Sequence, residues 1–128
     1  MIDEGRPLFV QIAEAIEDSI LDGSLAEDEK APSTNELAAF YRINPATAAK
    51  GVAVLTDKGI LLKRRGIGMF VAAGSRGKLL AERRTAFVER YIDPLIAEAQ
   101  ALGLGADDLT ALLRERASRP PATEGNPA

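Results

Sequence analysis

Two short runs in this chain carry groups able to grip a polyanion. Lys63-Arg64-Arg65-Gly66 sets three consecutive cations against a glycine. A strand alternates its faces, so three neighbouring cations cannot all point inward, and a turn tip presents them to solvent. Arginines beside a glycine suit a narrow, strongly negative groove of a duplex. The second run is Asn44-Pro45-Ala46-Thr47 with Lys50 behind it. Asn44 has the chemistry of an N-cap and Pro45 that of a first helical residue. Asn44, Ala46 and Thr47 then share the first turn of a helix whose free amides can meet phosphates and base edges. Lys50 lies one turn beyond Ala46 and faces the same way, within reach of a phosphate or a guanine. Ser33, Thr34 and Asn35 open the helix before it, a usual place for a phosphate contact, and Arg42 adds a cation between the two. The plainer alternatives are that Ser33 and Asn44 only cap helices and that the basic hairpin only keeps the surface soluble.

The charge distribution supports contact with an anion. The net charge is −3, yet residues 42–84 hold ten basic side chains against two acidic ones, while residues 1–41 hold two against ten. A phosphate backbone responds to the local field of one face and not to the chain total. With neither Cys nor His among 128 residues, thiolate chemistry, disulfides and the commonest general base and metal ligand are excluded. No acid–base pair, metal cluster or phosphate loop is visible, so no catalytic residue, metal or cofactor is expected and an enzyme is the least favoured class. Gly66-Ile67-Gly68 falls far short of a dinucleotide fingerprint. The start carries no signal-peptide pattern and no apolar stretch is long enough for a membrane span, so a cytoplasmic location is expected.

The elements that must position these residues follow from periodicity. Leu8, Ile12, Ile16 and Ile20, with Ala13, form one stripe of a first helix that opens at Pro7 and ends before Gly23, with Glu14, Glu17 and Asp18 on its outer face. A residue or two of strand is expected near Lys30–Ala31. Ser33-Thr34-Asn35-Glu36 fits a capping box, followed by a short helix with Leu37, Ala38 and either Tyr41 or Phe40 inward. The next helix runs from Pro45 to about Lys58, with Ala49, Val52, Ala53 and Thr56 on one face, and Gly59 ends it. Residues 60–64 and 68–72 read as two strands around Arg65-Gly66-Ile67, with Leu62 and Phe70 expected in the core. Helix, helix, hairpin in that order is a winged helix-turn-helix.

From Gly74 the helical period returns with Leu80, Phe87, Tyr91, Leu95 and Leu102 in one stripe. Pro94 should kink or break this helix. A last helix over about 106–117 should turn Leu109, Leu112 and Leu113 inward. The stripe is longer than one short helix can cover, which suggests that Leu80, Phe87, Tyr91, Leu95, Leu102, Leu109 and Leu112 pair two copies. The fold class expected is mostly α with a small β-hairpin: a winged helix-turn-helix domain over 1–73, a helical dimerisation region over 74–117, and a disordered tail over 118–128, rich in Pro, Gly and polar residues.

The sequence resembles the GntR family of bacterial regulators. The resemblance is carried by Pro7-Leu8-Phe9-Val10-Gln11-Ile12, Ala31-Pro32-Ser33 with Glu36-Leu37-Ala38, Ile43-Asn44-Pro45-Ala46-Thr47, Leu55 with Lys58-Gly59-Ile60-Leu61, and Arg65-Gly66-Ile67-Gly68-Met69-Phe70-Val71. Asn-Pro-x-Thr at 44–47 and the short tail with Leu102-Gly103-Leu104 look like its YtrA-type subfamily. The resemblance implies a homodimeric regulator that binds double-stranded DNA, most often a repressor of its own or a neighbouring, often transporter, operon. Ser33, Asn44, Thr47, Lys50, Arg65 and Gly66 match the family's contact positions. Two positions depart: the family's usual arginines are replaced by Asn35 and Ala49, so a different operator, or more reliance on Arg42, Lys50 and the wing, is implied. Two other function classes stay open on the sequence: a winged-helix module that recruits another protein, and a regulator sensing a metabolite between its tail helices.

Overall fold

The computed structural model describes residues 4–119. Helix α1, Leu8–Leu21, buries Ile12, Ala13, Ile16 and Ile20 along the stripe that the spacing of four dictates. Pro7 stands at its N-cap. Glu17 departs from the expected solvent face: it is buried, and its carboxylate accepts from Lys58 Nζ at 2.6 Å. Helix α2, Thr34–Tyr41, starts on the full capping box, the Glu36 amide donating to Ser33 Oγ at 3.0 Å and the Ser33 amide to Glu36 Oε1 at 2.8 Å. Leu37 and Ala38 face the core, and Tyr41 packs against it while Phe40 stays 78% exposed.

Helix α3, Pro45–Asp57, is capped by Asn44, whose Oδ1 accepts the Ala46 amide at 2.8 Å. Its buried residues are Ala48, Gly51, Val52 and Leu55. Of the face expected from sequence, Val52 is buried, but Ala49, Ala53 and Thr56 are exposed. An alanine-rich helix has a weak periodic signal, and the choice of face falls to fit: α3 packs on both α1 and α2. At Gly51 a Cβ would lie 2.9 Å from the Phe9 carbonyl oxygen, so only glycine permits this approach.

Strands β1, Leu61–Arg64, and β2, Gly68–Val71, pair antiparallel with Leu61 opposite Val71 and Arg64 opposite Gly68. The turn closes with the Ile67 amide donating to the Arg64 carbonyl at 2.9 Å, and Gly66 takes φ 76°. The short pairing expected near residue 30 is present as a bridge between Lys30 and Phe70. The two-residue period sends Leu61 and Val71 into the core. It places Leu62 and Phe70 on the opposite face, so neither is the core residue expected: Leu62 is exposed and Phe70 half-buried.

Helix α4, Ser75–Phe87, has its N-terminus capped from far away in the chain. Glu27 accepts the Gly74 amide at 3.0 Å and the Arg76 amide at 3.1 Å. Ser75 Oγ donates to the Ile60 carbonyl at 2.8 Å, and Leu79 is buried in the core. The chain divides into two compact units, the first ending at Arg83 and the second beginning at Arg84, so the opening turns of α4 belong with the winged helix rather than with the tail.

Pro94 does not break the chain out of helical conformation, but the α-helical ladder is interrupted just before it. A π-helical turn, Val88–Ile92, joins α4 to α5, Asp93–Ala101, with the Asp93 amide donating to the Val88 carbonyl and helical backbone angles at Phe87, Ile92 and Asp93. A wider turn just before a residue without an amide absorbs the missing donor. Helix α6, Ala106–Ala117, begins where Asp108 Oδ2 accepts the Gly105 amide at 2.8 Å. Leu109 is half-buried, but Leu112 and Leu113 are exposed and not inward within one chain. Of the tail expected over 118–128, residues from 120 onward lie outside the described residues.

Candidate nucleic-acid interface

The N-terminal end of α3 is open. Asn44, Pro45 and Ala46 are exposed and Thr47 is half-buried. The Asn44 side chain satisfies the Ala46 amide, and its carbonyl accepts the Thr47 amide at 2.9 Å. Capping therefore occupies Oδ1 but leaves the Asn44 side-chain amide nitrogen to the surface. Lys50 lies over the Phe9 ring, its Nζ 4.1 Å from the centroid. That ring, from the first turn of α1, steers the ammonium beside Ala46 and Thr47, with which Phe9, Leu8 and Lys50 share one shallow hollow. Phe9 is a positioning residue the sequence reading missed, and local spacing carries no signal for it because it lies on another helix.

Ser33, Asn35 and Arg42 are exposed and Thr34 half-buried around α2. Arg42 adopts φ 58°, ψ 51°, the left-handed conformation that ends α2 and turns the chain toward α3. The two departures from the family pattern, Asn35 and Ala49, are both exposed and place no cation on α2 or α3 there.

The wing presents Lys63, Arg64, Arg65 and Gly66 exposed. The Arg64 guanidinium stacks on Phe70 at 4.3 Å, which holds it along the outer face of the hairpin. Leu62, Arg64, Phe70 and Gly68 share that face by strand alternation.

The structure sorts nine of the ten basic residues of 42–84, all but Arg84, into two sets. Lys58 is bound by Glu17 at 2.6 Å and Glu82 at 2.9 Å, and Arg83 by Asp18 at 2.5 Å. Burial opposes the Lys58 charge, but the hydrogen bonds from these two carboxylates and their charges outweigh it and hold the ammonium above its ordinary pKa. Arg76 donates to the Leu21 carbonyl at 3.1 Å, and Lys78 donates to the Lys58 carbonyl. These four fasten α4. Arg42, Lys50, Lys63, Arg64 and Arg65 form no ion pair among the described residues. An unpaired exposed cation is free to exchange counterions for phosphates, which is how a basic surface gains affinity for a duplex.

In the tail, the described apolar stripe is open to solvent. Leu80, Phe87, Tyr91, Leu95, Leu102 and Leu112 range from 37% exposed at Leu95 to 64% at Leu102, and Leu109 is half-buried. The Phe87 and Tyr91 rings meet at a tilt of 51°, 5.6 Å between centroids. Among the described residues, no group of His, Cys, Asp and Glu could hold a metal ion, and no helix is long and apolar enough to cross a membrane.

The chain is similar to known proteins in sequence and fold. The model of the family described as "Bacterial regulatory proteins, gntR family" matches residues 8–71, half of the chain. The HTH-type transcriptional repressor YtrA of Bacillus subtilis is 27% identical over 109 residues, covering 85% of this chain and 83% of its own. The crystal structure of a putative GntR-family transcriptional regulator from Bacteroides thetaiotaomicron superposes with TM-score 0.72 at 27% identity, over 84% of this chain and 94% of its own. The DNA-binding domain of AraR, solved in complex with operator ORX1, superposes with TM-score 0.51 at 32% identity, over 56% of this chain and 87% of its own. With the winged helix-turn-helix in place and the family pattern matched from the first helix through the wing, the chain belongs to the gntR family of bacterial regulatory proteins.

Proposed function

We propose that this protein is a homodimeric, sequence-specific DNA-binding repressor acting in the cytoplasm, which occludes polymerase at its own or a neighbouring operon, with transporter operons the first to test. The observation that carries the reading is the set of exposed cations on α3 and the wing that form no ion pair among the described residues, set against Lys58 and Arg83, which carboxylates bind. The AraR domain, 32% identical, was solved on an operator, which supports the same use of the matching elements here. Asn44, Ala46, Thr47 and Lys50 enter the major groove and read base edges. Ser33, Thr34, Asn35 and Arg42 hold the flanking backbone, and Lys63, Arg64, Arg65 and Gly66 reach the adjacent minor groove. Leu80, Phe87, Tyr91, Leu95, Leu102, Leu109 and Leu112 pair two copies, so that two half-sites are read at once.

The test is to select duplexes from a random-sequence pool with the full chain, then titrate the best one across salt. About six phosphate contacts predict a slope of log affinity against log salt near −5. Recovery of no preferred sequence together with a flat salt response would sink the reading. Sedimentation of the free protein reads the dimer separately, and a monomer at tens of micromolar would remove that part.

A further inference from the structure

We propose that Lys30 is a fourth cation of the wing, donated from outside the hairpin, and that its ammonium takes a backbone phosphate beside the one reached by Arg64. The proposal rests on the DNA-binding reading above and adds a residue that neither the hairpin sequence nor the charge of its own segment points to. Lys30 belongs to the acidic first third of the chain, where it and Arg6 are the basic residues among the first 41.

The backbone carries it out of that company. The Asp28 amide donates to the Val71 carbonyl at 2.8 Å, the Val71 amide to the Glu29 carbonyl at 2.9 Å, and the Ala31 amide to the Met69 carbonyl at 2.8 Å. Residues 28–31 thus run along the free edge of β2, with Lys30 bridged to Phe70. Residues opposite one another across a bridge share a face, so Lys30 lies with Phe70, Gly68, Leu62 and Arg64 on the outside, while Ala31 joins Leu61 and Val71 within. Arg64 lies over the Phe70 ring at 4.3 Å, and Lys30 is the residue bridged to Phe70 on the other side of β2.

Gly68 makes room for it. A Cβ built on Gly68 would meet Lys30 Cε at 2.8 Å and Nζ at 3.7 Å. The lysine stem therefore runs through space that a side chain at 68 would fill, and its ammonium ends beside the residue paired with Arg64. Of the nearby carboxylates, Glu29 Oε1 accepts the Ala26 amide at 2.7 Å and Glu36 Oε1 the Ser33 amide at 2.8 Å, while the Lys30 charge acts on Glu36 through space without forming an ion pair. Lys30 is exposed and, among the described residues, forms no ion pair.

The rival role is packing alone, with the stem covering Phe70 and Gly68 and the charge idle. Lys30→Met keeps an unbranched stem and removes the charge, and Lys30→Arg keeps the charge. The probe is the duplex of highest affinity that the parent protein recovers from a random-sequence pool. The expected result is a salt slope shallower by about 0.9 for Lys30→Met and an affinity lower by roughly eightfold at 0.1 M salt, with the slope preserved in Lys30→Arg. The melting temperature of the free protein should stay at the parent value in both. A parent-like slope for Lys30→Met overturns the proposal while leaving the DNA reading intact. A parent that binds no duplex even at low salt overturns both.

Discussion

At the scale of single residues, Asn44 does two jobs that a substitution can separate. Its Oδ1 caps α3, and the rest of its side chain is at the surface proposed to meet DNA. Asp caps a helix about as well as Asn, but brings a negative charge to that surface. Asn44→Asp should therefore leave the thermal midpoint near the parent while binding of the selected duplex falls at least tenfold. If the variant binds as the parent does, the α3 terminus is not at the phosphate backbone. Gly51 makes the opposite case, with a purely structural duty. A methyl there meets the Phe9 carbonyl oxygen at 2.9 Å and Ile12 at 3.0 Å. Backbone cannot yield as a flexible side chain can, so Gly51→Ala should cost about 1–3 kcal/mol by overpacking. Urea denaturation checks it, and an unchanged midpoint would mean that α1 and α3 are further apart in solution.

At the scale of elements, α4 is held at its start by polar contacts more than by its own pattern. Glu27 supplies the N-terminal cap that residues 72–75 do not. The Gly74 and Arg76 amides donate to its carboxylate and hold it below the ordinary value of 4.5. Glu36 in the capping box of α2 and Asp22 beside Ser24 are lowered by the same kind of bond. The sign follows from linkage: a carboxyl lowered by folding contributes stability above its unfolded pKa, and that contribution is lost as pH falls through the folded value. Thermal midpoints should therefore fall as pH drops below about 4.5. Glu27→Gln should lower the midpoint at pH 7 and lose part of the acid-side decline. A Glu27→Gln curve parallel to the parent throughout would show that the distant cap is not made.

At the scale of the whole molecule, the open question is what covers the tail. Phe87, Tyr91, Leu95 and Leu102 are all more than a third exposed in one chain, and exposed apolar side chains along one helical stripe mark a surface that another element can cover. A second copy bringing the same stripe is the proposed cover. Tyr91→Asp buries an unpaired charge in such an interface and should shift sedimentation to the monomer. DNA affinity should drop by tenfold or more, because one half-site is then read at a time. A dimer that survives Tyr91→Asp at micromolar concentration would place the interface elsewhere.

Much of the architecture was written in short runs of residues. Ser33 with Glu36, Asn44 with Pro45, and the cations around Gly66 announce helix starts and a turn through chemistry that acts within a few positions, so α2, α3 and the hairpin are legible without any tertiary knowledge. Contacts between distant parts of the chain decided the rest. Which face α3 buries depends on α1 meeting it at Gly51, and Lys50 is aimed by Phe9. The basic stretch 42–84 looked uniform, yet Lys58 and Arg83 are taken by carboxylates 41 and 65 residues away, while Lys50 and the wing cations stay free. Lys30 made the reverse journey, from an acidic segment to the outer face of the wing. Capping and turn chemistry act through neighbouring backbone atoms and survive being read in one dimension. Charge pairing and packing act through space, and only the folded chain shows which partners meet.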